Sequence, residues 1–141
     1  MSSHVEQTLT LVLRIANAIL EGRAHAERCM ISLRAQGDQV SAELREAEAV
    51  FDVEPGDDAL RRIVAARAAF CGQVAGERLV GAFATGGQSG VEDALPTFEA
   101  TANALVRYVN EHANGEESVA VAAVEEACTL LPPDRRAMLS R

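Results

Sequence analysis

The chain has 141 residues, 48% of them hydrophobic and 24% charged, which is typical of one globular domain large enough to bury a core. Its formal net charge of -8 disfavours nucleic acid and anionic membranes as partners. Only 4% of the residues are aromatic, so the core has to be built from aliphatic side chains and alanine, the strongest helix former, which favours an all-α fold.

The first predicted helix spans about residues 3–36. Ser3 can cap its N-terminus, with Glu6 three residues later as in a capping box. Apolar residues then recur at alternating spacings of four and three, which places them on one helix face: Val5, Leu9, Val12, Ala16 and Ile19. Gly37 and Asp38 predict a break, followed by a second helix over about 39–52.

Three further helices are predicted beyond a turn at Pro55-Gly56, over about 57–84, 92–113 and 118–131. Residues 85–90, with three glycines, predict a loop, and Pro132-Pro133 predicts a stop before a short turn over 134–140. The whole chain, 1–141, is therefore predicted to be one compact bundle of four to five helices with short loops and antiparallel neighbours.

Arginines interrupt two of the predicted apolar faces. On a helical projection, Arg67 falls among the apolar residues of the third predicted helix, and Arg78 lies within about 20° of it. Arg23 and Glu27 continue the apolar face of the first predicted helix. A buried charge needs a partner, so these four residues are candidates for binding a small anionic ligand. Alternatively, the arginines reach solvent, or they pair with Glu27 or Glu126.

The negative charge is concentrated in the second half of the chain. From residue 79 to residue 134 there are nine acidic residues and one arginine. This acidity suggests a surface for a basic protein partner, with these residues as candidates: Glu92, Asp93, Glu99, Glu116 and Glu117. All thirteen basic residues are arginines, which is typical of a bacterial genome rich in G+C.

No catalytic residue set, metal site or cofactor is predicted. No histidine follows a glutamate by three residues, as a di-iron bundle would require, and the glycine-rich loop lacks the lysine of a P-loop. The three cysteines are widely spaced and are interpreted as small core residues in a reducing compartment. With no signal peptide or membrane-spanning segment recognised, a cytoplasmic protein is expected.

The fifth predicted helix is apolar around much of its circumference, and the first has a wide apolar stripe, so a homodimer is expected. The leading hypothesis is a non-enzymatic protein-interaction or adaptor module without nucleic-acid or membrane partners. One alternative is a binder of small anions, or an enzyme, with a pocket around Arg67 and Arg78. Another is an acidic mimic of nucleic acid that inhibits a DNA- or RNA-binding protein.

Overall fold

The computed structural model describes residues 23–139, which form helices and no strand. We number the helices α1 (Arg23–Val53), α2 (Asp57–Ala113), α3 (Glu117–Thr129) and the four-residue α4 (Pro133–Arg136). The prediction of a helical protein is confirmed for this part of the chain. The Ser3 cap and the apolar series from Val5 to Ile19 lie outside the described residues.

Helix α1 continues through Gly37, so the predicted break at residues 37–38 is wrong. Leu33, Val40 and Leu44 are all buried, and Gly37 belongs to the same series of alternating four- and three-residue steps. Glycine weakens a helix interior by about 1 kcal/mol, but it does not interrupt a helix whose face is held by tertiary packing. Gly37, where the sequence predicts a boundary between two helices, is thus an interior position on the buried face of α1.

A short linker joins α1 to α2, and charged side chains tie the two helices together beyond it. Asp57 and Asp58 occupy the first turn of α2, where carboxylates favour the positive end of the helix dipole. Arg61 pairs with Asp58 within this turn. Arg62 lies 3.2 Å from Glu46 of α1, so its charge bridges the two helices.

The helical geometry of α2 is interrupted at Gly87, which lies inside the range assigned to this helix. Gly87 has φ 60° and ψ -143°, a combination that residues with a side chain rarely adopt. On its two sides, Leu79 and Phe98 belong to one buried cluster, and Gly90 lies against the carbonyl oxygen of Ala82. We call residues 57–86 the first arm of α2 and residues 88–113 its second arm. The predicted loop over 85–90 is therefore too long, because only Gly87 departs from helical geometry.

The main core lies between α1, the two arms of α2, and α3. Its large members, including Ile63, Phe70 and Leu105, are at most 2% exposed. Helix α3 contributes mostly small side chains, because its buried residues are Ala120, Ala123, Val124 and Ala127. Small residues let the backbone of α3 lie close to both arms. The predicted ends of this helix, 118–131, shift to Glu117–Thr129. The predicted short turn over 134–140 overlaps α4 and the hydrogen-bonded turn that follows it, with residue 140 outside the described part.

A chain of polar contacts connects three of the helices. The buried side-chain amide of Gln73 donates a 2.5 Å hydrogen bond to the carbonyl oxygen of Leu33 in α1 and a 3.3 Å bond to Oε2 of Glu77. Oε1 of Glu77 lies 3.5 Å from the guanidinium of Arg135 in α4. These contacts fix the first arm of α2 relative to α1 and to the end of the described chain.

Candidate functional site

The structure separates the two arginines that the sequence analysis placed in one polar layer. Arg67 is half-buried in the first arm of α2, close enough to Cys71 and Cys128 to influence both thiols electrostatically. Arg78 is exposed. The two positions are about 16 Å apart along the helix axis, so the two side chains have different surroundings. Glu126, one of their suggested partners, instead accepts a hydrogen bond from Arg107.

Arg23 and Glu27 belong to the described backbone of α1, but their side chains lie outside the described part. Arg78 borders a small cavity between the two arms of α2, together with Cys71 and Phe98. The space open to water there is about 20 Å³, which holds about one water molecule. An organic anion would need the arms to move apart.

The five acidic residues proposed as a partner surface are all exposed, but they are spread over 26 positions of the chain, from residue 92 to residue 117. Glu92 and Asp93 lie near Gly87 at the start of the second arm, whereas Glu116 and Glu117 follow the far end of the arm. About 30 Å of helix separates the two pairs, with Glu99 between them. No single ligand of ordinary size contacts both pairs at once.

A groove lies where the start of the first arm meets the end of the second arm and the start of α3. We call it the α2–α3 groove, and its open volume is about 280 Å³. Both apolar and charged side chains line it: Asp57, Leu60, Arg61, Val64, Tyr108, His112, Glu117 and Val121. It therefore combines apolar side chains with carboxylates.

Tyr108, His112 and Glu117 form an ordered cluster in this groove. Nδ1 of His112 lies 2.9 Å from Oε1 of Glu117, and the ring of His112 stacks on that of Tyr108 with centroids 5.9 Å apart. A carboxylate that holds one imidazole nitrogen fixes the orientation of the ring, as in many acid–base and recognition sites. Burial, and then the charge of Glu117, raise the pKa of Tyr108 above its ordinary value, so the phenol stays protonated at neutral pH.

The second feature that could take part in a chemical reaction is a pair of cysteine thiols. Cys71 in the first arm of α2 and Cys128 in α3 are 57 residues apart in sequence, yet their Sγ atoms are 3.6 Å apart. Cys71 is fully buried and Cys128 is partly exposed, and both are free thiols. Their hydrogen bond raises the pKa of Cys71, with burial acting in the same direction. The same bond lowers the pKa of Cys128, and Arg67 also favours its thiolate.

The sequence analysis interpreted these cysteines as core residues and did not pair them. Nothing in a 57-residue separation indicates contact, because it depends on how α3 packs on α2. One signal was available in the sequence. Arg67 and Cys71 are four residues apart on one helix face, so a cation was predictable beside that thiol.

Two searches of the described residues gave negative results. Between residues 23 and 139, no three histidine, cysteine, aspartate or glutamate side chains lie together in a way that could hold a metal ion. None of the helices in this range is long and apolar enough to span a membrane. Comparison of the chain with protein-family models, with curated proteins and with solved structures gives no match.

Proposed function

We propose that the protein is a protein-interaction module whose α2–α3 groove receives a peptide segment from its partner. The segment would combine an apolar side chain with a neighbouring basic one. The observation that carries this proposal is the composition of the groove, whose lining combines the exposed side chain of Leu60 with the carboxylates of Asp57 and Glu117.

The apolar part of the groove offers surface that binding would bury. Leu60 is 43% exposed and Val121 is partly exposed, so both present apolar surface in the groove, whereas Val64 is already buried. Burying an aliphatic side chain of the partner here would contribute about 2 kcal/mol. That contribution is the size expected of an anchor residue in a peptide complex.

The charged part of the groove favours a basic side chain next to that anchor. Asp57 and Glu117 line the groove, and Asp58 and Glu116 are exposed beside them. Arg61, the one basic residue in the lining, is paired with Asp58, which reduces its repulsion of a cation. The net charge of -8 on the chain would also speed the encounter with a basic segment.

The groove is large enough for side chains of a bound peptide. Its open volume of about 280 Å³ lies at the lower end of the range of about 300–1,000 Å³ that is common for small-molecule sites. Two neighbouring side chains of a peptide fill such a volume.

The architecture that supports this groove is inferred as a bundle with antiparallel arms. Leu79 meets Phe98 near Gly87, and Val64 shares the groove with Tyr108 far from it. In two antiparallel helices joined at Gly87, residues close to Gly87 on one arm contact residues close to it on the other arm, and residues far from Gly87 contact residues far from it. This arrangement brings Asp57 and His112 to the same end of the molecule.

A selection of random peptides displayed on phage against the immobilised full-length protein tests the proposal. We expect enriched peptides to carry Arg or Lys next to an aliphatic residue, and to lose binding at least tenfold to the Leu60→Glu variant. Val106→Glu is the matched control, because Val106 is 46% exposed but is not part of the groove. Enrichment of no peptide, or equal binding to both variants, would refute the groove as the docking site.

A further inference from the structure

We propose that Cys71 and Cys128 form a reversible intramolecular disulfide when a hydroperoxide oxidises the protein. This thiol pair would be a redox-modification site, and it does not depend on the function proposed for the α2–α3 groove. The carrying observation is the 3.6 Å separation between two free thiols on different helices.

The two sulfur atoms need to move only a short distance to form the disulfide. The sulfur atoms of a disulfide are about 2.05 Å apart, so the two Sγ atoms have to approach each other by about 1.5 Å. The helices around them present small side chains, including Ala68 and Ala127, both fully buried. Side-chain rotation and a slight approach of α3 to the first arm of α2 can provide this movement.

The two thiols have unequal roles because their surroundings differ. Cys128 is partly exposed, so a hydroperoxide can reach it from solvent, whereas Cys71 is fully buried. Arg67 and the thiol of Cys71 also stabilise the reactive thiolate form of Cys128. Cys128 is therefore the attacking thiol, and Cys71 is the resolving one.

The reaction has two steps. The sulfur of Cys128 attacks the hydroperoxide, so that an S–O bond forms and the O–O bond breaks. An alcohol leaves, or water when the oxidant is hydrogen peroxide, and Cys128 becomes a sulfenic acid. The sulfur of Cys71 then attacks the sulfur of Cys128, the S–O bond breaks, and the departing hydroxide takes the proton of Cys71 as water. The two thiols lose two electrons and two protons, and the hydroperoxide is reduced.

The disulfide would covalently join the first arm of α2 to α3 across 57 residues. A cross-link over a loop of this length reduces the entropy of the unfolded chain, so the oxidised protein should melt at a higher temperature, by about 10 °C if the bond forms without strain. A dithiol reductant would return both cysteines to the free form by thiol–disulfide exchange.

The test uses the full-length chain carrying Cys29→Ser, so that only the pair remains. The protein is treated with hydrogen peroxide, its free thiols are blocked with N-ethylmaleimide under denaturing conditions, and its intact mass is measured. We expect a monomer that has lost about 2 Da and binds no maleimide, a linked peptide pair containing Cys71 and Cys128, and recovery of both thiols with dithiothreitol. If Cys29→Ser does not fold, peptide mapping of the unsubstituted chain gives the same answer.

Single variants in the same background separate the two roles. Cys71→Ala should leave a sulfenic acid on Cys128 that a 1,3-dione reagent captures, and Cys128→Ala should leave the thiol of Cys71 unoxidised. Arg67→Met should move the pH profile of the oxidation rate to higher pH. Arg45→Met should not, because Arg45 is exposed in α1 and is not among the charges that act on either thiol. Irreversible oxidation of Cys128 with the Cys71 thiol intact, or disulfides only between chains, would overturn the proposal.

Discussion

Gln73 packs directly against Gly37, and this contact explains why a glycine occupies the buried face of α1. A methyl group at position 37 would lie 2.8 Å from Nε2 of Gln73. The same nitrogen donates a hydrogen bond to the carbonyl oxygen of Leu33, one turn before Gly37. The glycine therefore creates the space in which the amide reaches the backbone of the neighbouring helix.

Substituting Gly37 by alanine should change stability in opposite directions depending on residue 73. In the unsubstituted protein, Gly37→Ala should destabilise by about 1 kcal/mol, because Gln73 is buried and cannot move without losing its bond to Leu33. In a Gln73→Ala background, Gly37→Ala should stabilise by about 0.5–1 kcal/mol through helix propensity. Urea unfolding of the four proteins measures both effects. The same sign in the two backgrounds would show that the contact does not matter.

Gly87→Ala should destabilise the protein by about 1–3 kcal/mol, because Gly87 has a backbone conformation that alanine adopts only with strain. Gly86→Ala is the matched control. Its added methyl group meets no atom within 4 Å, and it should be neutral or stabilising by up to about 1 kcal/mol. Thermal unfolding compares the two variants, and equal melting temperatures would contradict the left-handed conformation of Gly87.

Stability should fall at alkaline pH partly because of Tyr108. Its pKa is raised in the folded protein, so its contribution is complete below the ordinary value of about 10 and is lost as the pH rises through the higher folded value. Between pH 10 and pH 11, the unsubstituted protein should lose up to about 1.4 kcal/mol more than Tyr108→Phe. Denaturant unfolding of both proteins across this pH range measures the contribution of the phenol to stability. The cysteine thiols do not affect the comparison, because they are the same in both proteins. Parallel pH profiles would contradict the prediction.

Replacing an alanine of α3 by a larger residue should destabilise the protein only on the buried face of the helix. Ala120 is fully buried, so Ala120→Leu should destabilise by about 1–3 kcal/mol through overpacking. Ala122→Leu places the same side chain on the exposed face of the helix and should change stability by less than about 0.5 kcal/mol. Chemical denaturation distinguishes the two. Equal effects would mean that α3 does not pack as closely as described.

Several local features were predictable because they depend on residues close together in sequence. The helix-forming composition indicates an all-α fold, and Pro55-Gly56 and Pro132-Pro133 mark turns that the structure contains. The glycines around residue 87 indicate an interruption between two helical segments, although not that only Gly87 departs from helical geometry. Gly37 was misjudged, because a glycine that breaks a helix and a glycine that admits a neighbouring side chain are identical in sequence.

The sequence by itself determined that this part of the chain is helical and that it turns at Pro55-Gly56 and Pro132-Pro133, because propensity, periodicity and turn chemistry act over a few residues. Only the tertiary structure decided which side chains meet. It brought Cys71 to Cys128, placed His112 beside Glu117 in a groove with Leu60, and left Arg67 half-buried but Arg78 exposed. The physical reason is that these contacts are set by the rotation and approach of packed helices, which depend on the fit of many small side chains at once.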